Sequence, residues 1–173
     1  HEAGVRGVRF HFIKRLVAST PPEVHQKIAA RVAELGWHIV VYFENRDLDE
    51  LAPFLASLPG TVAIDHMART DVTTGVDGPE FQSLLTFMDE HENFWVKVSC
   101  PERLSVAGAP FADVEPYQRA LVERFPSRVL WGTDWPHPNL MDHMPDDGAL
   151  VDIIPRIAPT ASLQQALLVK NPM

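Results

Sequence analysis

Apolar and polar positions along the chain change period repeatedly. Runs rich in β-branched and aromatic residues, 4–12, 37–44, 61–66, 94–100 and 128–134, read as strands, and between them apolar residues recur at helical spacing. The first helix is announced by Ser19-Thr20-Pro21-Pro22-Glu23, a capping residue followed by proline in the first turn, and runs to Leu35 before Gly36 stops it. A second, over about 48–58, is closed by Pro59-Gly60. Helices follow over about 78–91 and, after a loop through Pro110, over about 114–125, with one or two more between 148 and 168.

This alternation points to βα units on a parallel sheet, and the near-continuous apolar strands point to a sheet buried on both faces. Two architectures fit. A complete (β/α)₈ barrel takes about 250 residues, so five units in 173 residues read as the later part of one, with earlier strands missing. A five-stranded open sheet of flavodoxin type is the alternative. No linker or repeat divides the chain, so a single domain over 1–173 is expected. The chain opens at His1 and stops after Lys170-Asn171-Pro172-Met173, and both ends read as cut.

Composition narrows the chemistry. A hydrophobic share of 46% supports a sizeable core. A formal charge of −8 argues against a nucleic-acid partner, because phosphate backbones select basic faces. No run approaches the roughly 18 apolar residues of a membrane span, so no membrane is expected. The single cysteine, Cys100, excludes an internal disulfide and any Cys-rich metal site, which fits a reducing, cytoplasmic setting.

The chemistry sits at the carboxyl ends of the predicted strands, where barrel enzymes gather their catalytic groups. The first strand carries Arg9 and His11 with Arg15 beyond; the second ends at Tyr42 and Glu44; the third ends Asp65-His66 with Arg69 following; the fourth ends Ser99-Cys100 with Arg103 following; the fifth ends at Asp134, followed by His137. Singly, each has a plainer explanation. Asp134 can be a turn former, His66 a satisfied core histidine, Arg9 and Arg103 surface charges, and Tyr42 strand packing. Cys100 reads as a small buried residue rather than a nucleophile. His25, His38, His91 and His143 are assigned no role. Recurrence at all five ends is harder to dismiss. Arg9, Arg15, Arg69 and Arg103 suit bidentate carboxylate recognition and imply a small polyanion such as a dicarboxylate. Asp134 then has the task of taking a proton from water, and His66 that of polarising a carbonyl. In Trp131-Gly132-Thr133-Asp134-Trp135-Pro136-His137-Pro138, Gly132 is read as permitting tight packing and the two X-Pro steps as holding the loop extended.

At these residues the chain resembles the amidohydrolase-related proteins, and within them the 2-pyrone-4,6-dicarboxylate lactonases. The resemblance also rests on Gly7-Val8-Arg9-Phe10 with Lys14-Arg15, Ile64-Asp65-His66-Met67 with Arg69, Cys100-Pro101-Glu102-Arg103, and Pro145-Asp146-Asp147-Gly148, and covers nearly the whole chain. It implies the (β/α)₈ fold, here as about five C-terminal units. The implied reaction is hydrolysis of a lactone bearing two carboxylates during breakdown of lignin-derived aromatic acids. Asp134 would act as general base and then acid, His66 near the attacked carbonyl, and Arg9, Arg15, Tyr42, Arg69 and Arg103 on carboxylates and carbonyl. No metal or cofactor is implied: His66 and Asp134 alone are too few for zinc, which commonly takes three protein ligands. The family's His-x-His pair of the first barrel strand has no counterpart in these residues, so the chain in isolation is expected to be weakly active or inactive, with open strand edges. A zinc-dependent decarboxylase, a different lactonase and a non-catalytic remnant remain alternatives. Oligomeric state is not legible.

Overall fold

Strands β1 (Gly7–His11), β2 (His38–Tyr42), β3 (Val62–Ile64), β4 (Phe94–Lys97) and β5 (Val129–Leu130) form one parallel sheet in the computed structural model, which describes residues 2–16, 20–140, 142 and 144–173. The spatial order is β1-β2-β3-β4-β5, with neighbours in sequence also neighbours in space. Such an order never reverses. The open flavodoxin-type alternative requires a reversal at a switch point, and it is therefore excluded. The singly wound order is that of a (β/α) barrel, of which the chain supplies five units.

Helices α1 (Pro22–Glu34), α2 (Leu48–Ala56), α3 (Pro79–Glu90), α4 (Pro101–Leu104) and α5 (Glu115–Arg124) make the returns. The strand period of two decides what they cover. Ile39, Val41, Val62, Ile64, Phe94, Val96 and Val129 are fully buried in one core cluster with Val32, Leu55, Phe81, Leu84, Met88 and Leu121 of the helices. Each such side chain contributes about 1.5–3 kcal/mol on burial. The alternate positions differ from the expectation of a sheet covered on both faces. Val40, Ala63, Trp95 and Lys97, with Leu130 and Trp131, line an open concavity of about 700 Å³. The physical reason is the winding: every helical return lies on the same side, so the other face receives no helical layer. Gly7 is required where β1 meets β2, because a Cβ there would stand 2.6 Å from the His38 carbonyl oxygen.

Several boundaries depart from expectation. Helix α1 begins at Pro22 with no side-chain cap, the residue ahead of it being Pro21. Proline at the cap position offers no side-chain oxygen to the N–H groups of the first turn, although proline at the first helical position is itself well accommodated; Ser19 lies outside the described residues. The predicted loop through Pro110 contains α4. The stretch 148–168 is broken into α6 (Asp147–Val151), α7 (Ile154–Ile157) and α8 (Ala161–Gln165), followed by a π turn over Ala166–Lys170. Pro155 and Pro159 prevent one continuous helix, and Asp146 and Thr160 cap α6 and α8 through their side-chain oxygens. Among the described residues no helix is long and apolar enough to cross a membrane.

Candidate functional site

The third, fourth and fifth strands stop short of their predicted ends, and a change of backbone hand follows each within two to four residues. Ladder pairing ends at Ile64, Val96 to Lys97, and Leu130. Just beyond, His66 (φ 47), Cys100 (φ 60) and Asp134 (φ 66) adopt left-handed backbone. After β3 the left-handed stretch continues through Met67 (φ 52), Ala68 (φ 52) and Arg69 (φ 50). For residues other than glycine this costs about 1–2 kcal/mol each, so the surroundings must impose it. Met67 and Ala68 are completely buried beneath the turn. Thr70 donates its backbone N–H (3.1 Å) and its hydroxyl (2.8 Å) to the Met67 carbonyl, and buried Asn45 of the neighbouring turn donates to Thr70 Oγ1 at 3.3 Å and to the Glu80 carbonyl at 2.7 Å.

The hand of the turn matters because of the pleat. Ile64 faces the helices, so Asp65 faces the concavity and His66, by alternation, would return toward the helices. The left-handed turn instead brings His66 Nε2 to 3.5 Å from Asp134 Oδ1 and 3.9 Å from Asp65 Oδ2. Its Nδ1 lies 2.8 Å from Ser99 Oγ, and its ring meets Tyr42 edge to face with centroids 5.4 Å apart. Asp134 is gripped by Arg103, with Nε and Nη2 each 3.2 Å from Oδ2, while Arg103 Nη2 also donates to the Pro138 carbonyl at 2.7 Å. The segment after Asp134 is not extended. It closes in a four-residue turn, His137 N–H donating to the Asp134 carbonyl at 2.8 Å across a cis Trp135–Pro136 bond. Gly132 relieves no tight contact either, since a Cβ there would have nothing within 4 Å.

The remaining predicted residues join the same network. Arg9 donates through Nε (2.7 Å) and Nη2 (2.6 Å) to Asp65 Oδ2 and lies over the Tyr42 ring, 4.6 Å from its centroid. Arg69 Nη1 donates to the Tyr42 hydroxyl at 3.1 Å and stands 3.8 Å from Glu44. Arg15, more than half exposed, reaches Glu44 at 3.1 Å and is the outermost member. Arg46 shares the Glu44 carboxylate. All seven candidate residues, Arg9, Arg15, Tyr42, His66, Arg69, Arg103 and Asp134, thus occupy one rim, and none of the arginines is left without a partner in the chain.

Four members lacked a role in the sequence reading. Asp65, with a nearly inaccessible side chain, also accepts from Lys97 Nζ at 2.8 Å; burial would raise its pKa, but His66, Lys97 and Arg9 outweigh that and hold it below the ordinary value. Lys97 and Ser99 alternate with buried Val96 and Val98, and that period of two is the signal that could have placed them on the concave face. Glu44, at the end of the second strand, collects Arg15 and Arg46. Behind the rim, buried His137 approaches Glu102 at 3.7 Å and Asp147 at 3.2 Å, with burial raising the Glu102 pKa.

Burial lowers the His66 pKa, against the pull of Asp65 and Asp134, so the ring is neutral near pH 7. Cys100 is driven upward by burial and by Glu102 and Asp134, and its thiol stays protonated. The fold nevertheless brings Cys100 in as a third donor, its ligand atom and those of His66 and Asp134 lying within 4.8 Å of one another. This donor set suits a divalent cation poorly. The thiol resists ionisation, Arg103 already neutralises Asp134, and Lys97 and Arg9 add positive charge beside His66. His25, without a site role, packs among Phe10, Phe12 and Phe54, and His91 stacks on Phe87; His143 lies outside the described residues.

An amidohydrolase family model matches residues 1–173. The 2-pyrone-4,6-dicarboxylate hydrolase of Comamonas testosteroni is 63% identical over 181 residues, which cover 100% of this chain and 59% of that protein. The 4-sulfomuconolactone hydrolase of Rhizobium radiobacter is 36% identical, over 98% of this chain and 57% of its own length. Among solved structures, that of a probable 2-pyrone-4,6-dicarboxylic acid hydrolase from Acinetobacter baumannii, with citric acid bound, has a TM-score of 0.80 at 25% identity, covering 99% of this chain and 64% of that one. The chain therefore spans less than two thirds of the curated relatives it matches. With its singly wound parallel sheet, its polar rim at the strand ends and a family match along its whole length, this chain belongs to the amidohydrolase family.

Proposed function

We propose that this chain supplies the greater part of the active site of a lactone hydrolase acting on a small ring that bears two carboxylates, with 2-pyrone-4,6-dicarboxylate the substrate that fits best. The observation that carries this reading is a local excess of positive charge. Arg9, Arg15, Arg46, Arg69, Lys97 and Arg103, six cations, converge on four carboxylates, Glu44, Asp65, Glu102 and Asp134, in a chain whose overall charge is −8. Such a rim attracts a dianion, and arginine forks match carboxylate geometry. The hydrolases of 2-pyrone-4,6-dicarboxylate and 4-sulfomuconolactone among its relatives act on lactones, and citric acid in one related structure is itself a polycarboxylate.

The chemistry follows from the His66–Asp134 pair. Asp134 takes a proton from water as the water oxygen bonds to the lactone carbonyl carbon; the ring C–O bond then breaks, and the same proton passes to the departing enol oxygen. The product is the open-chain 4-carboxy-2-hydroxymuconate, tautomer of 4-oxalomesaconate. Neutral His66 donates a hydrogen bond to the carbonyl oxygen as charge develops on it. Arg9, Arg15, Arg69 and Tyr42 hold the carboxylates, and Arg103 keeps Asp134 aimed inward. No metal is needed for these steps, consistent with the poor donor set of His66, Cys100 and Asp134.

The test is Asp134→Asn in the full-length protein, with hydrolysis followed by loss of the lactone. The rate should fall by at least about 10²-fold, the usual scale of a general base, and a rate within tenfold of wild type sinks the assignment. A zinc-dependent hydrolase or decarboxylase is the second reading, favoured by the arrival of Cys100 beside His66 and Asp134. Turnover that requires stoichiometric zinc would establish it in place of the first.

A further inference from the structure

Ser99 is buried, at 2% exposure, and among the described residues the single hydrogen-bond partner of its hydroxyl is His66 Nδ1 at 2.8 Å. A hydroxyl carries one proton and needs one acceptor, and in this position the imidazole nitrogen is the acceptor available. Were Nδ1 the protonated nitrogen, it would donate to Ser99 Oγ and leave the buried serine proton without an acceptor among the described residues, at a cost of about 1–3 kcal/mol. The opposite side of the ring argues independently for the same assignment. Nε2 faces two carboxylates, Asp134 Oδ1 at 3.5 Å and Asp65 Oδ2 at 3.9 Å. An N–H there is attracted by both, whereas a lone pair would be repelled by both.

From these contacts we infer that Ser99 is a positioning residue that locks His66 in the Nε2–H tautomer, so that the ring presents a proton donor to the pocket. The hydroxyl acts through the histidine and touches no reacting atom. Position 99 lies two residues beyond Lys97, on the concave side of the sheet, and the left-handed turn at His66 swings the ring over to meet it. The distances of 3.5 and 3.9 Å are long for direct hydrogen bonds, which leaves the Nε2 proton free to be claimed by an incoming carbonyl oxygen. Deepened in this way, the proposed reaction has a donor whose direction is set before substrate arrives. The inference rests on the lactone-hydrolase reading for its catalytic consequence, though not for the tautomer itself.

Nitrogen NMR of the full-length protein labelled with ¹⁵N-histidine decides the tautomer without any substrate, the His66 signals being assigned by their loss in His66→Gln. The expected result is an unprotonated, accepting Nδ1 and a protonated Nε2; a protonated Nδ1 overturns the proposal. In Ser99→Ala the two forms should mix, and kcat should drop about 10- to 100-fold, the range typical when the partner orienting a functional histidine is lost, with KM unchanged. A Ser99→Ala protein that retains pure Nε2–H and wild-type kcat also overturns it. A wild-type protein that shows the Nε2–H tautomer but hydrolyses no dicarboxylate lactone defeats the proposed function and leaves the tautomer assignment standing.

Discussion

The two faces of this sheet are built from the same strands and obey different rules. Toward the helices, Ile39, Val41, Val62, Ile64, Phe94 and Val96 pack at full burial on regular extended backbone. There the free energy comes from removing apolar area from water, and no residue is forced into an unfavourable conformation. At the rim, two to four residues beyond the strand ends, His66, Cys100 and Asp134 hold left-handed backbone and carry charge or polarity that must be paired. The contrast teaches where each is sensitive. The helix-facing side depends on apolar side chains of the right volume; the rim depends on direction, because only a few ångströms separate His66 from both Asp134 and Asp65.

Three measurements sharpen that contrast. The largest effect belongs to the core. Phe81 is fully buried and packs edge to face on Tyr117, ring centroids 4.9 Å apart, so Phe81→Ala should lower unfolding free energy by about 3–5 kcal/mol in a urea titration. A loss below about 1 kcal/mol would mean that the helices do not seal this face.

Next in size is a pH effect confined to the rim. Burial holds the His66 ring below its ordinary value of 6.5. The folded chain keeps the ring neutral where the unfolded chain takes up a proton, so stability falls as pH drops below about 6.5 and levels off only below the folded value. His66→Gln removes that contribution. The difference between variant and wild type should therefore change by up to about 1.4 kcal/mol per pH unit across the window, read by urea unfolding at several pH values. Parallel curves would place the ring in water-like surroundings.

The smallest effect tests the backbone itself. Glycine at position 68 gains about 1 kcal/mol by relieving the left-handed conformation and loses a similar amount with the buried methyl. Ala68→Gly should thus shift stability by less than about 1 kcal/mol in either direction, where a buried right-handed alanine would lose more. A loss of 2 kcal/mol or more by thermal unfolding would count against the left-handed turn.

Much of this was legible along the chain. Strand-period runs, helical spacing and punctuating Gly and Pro located the five strands and the helices that return between them, because burial of one face imposes a period on the residues that face it. The same reading marked the polar residues at strand ends, and the fold places every one of the seven candidates on one rim. Ser99 was marked at a strand end but given no task, and Lys97 was also within reach, since both alternate with Val96 and Val98; Lys97 went unmarked because it lies before the strand end on which the reading concentrated. The breaks within 148–168 were announced by Pro155 and Pro159.

What the sequence determined by itself is therefore the order and type of elements, the apolar face, and the residue types gathered at the strand ends, all of which follow from local periodicity and chemistry. Tertiary structure alone decided the rest. Alternation of elements did not separate a barrel segment from an open sheet, because both are written in it; the family resemblance implied the barrel, and the spatial strand order established it. Only three-dimensional packing turned His66 inward against the pleat, folded Asp134 into a tight turn and drew Cys100 beside them. Those left-handed conformations have no local preference in His, Cys or Asp strong enough to read. They exist because buried Met67 and Ala68, the Asn45–Thr70 bonds and the paired charges around Asp65 outweigh their cost, and such forces act between residues that are neighbours only after the chain has folded.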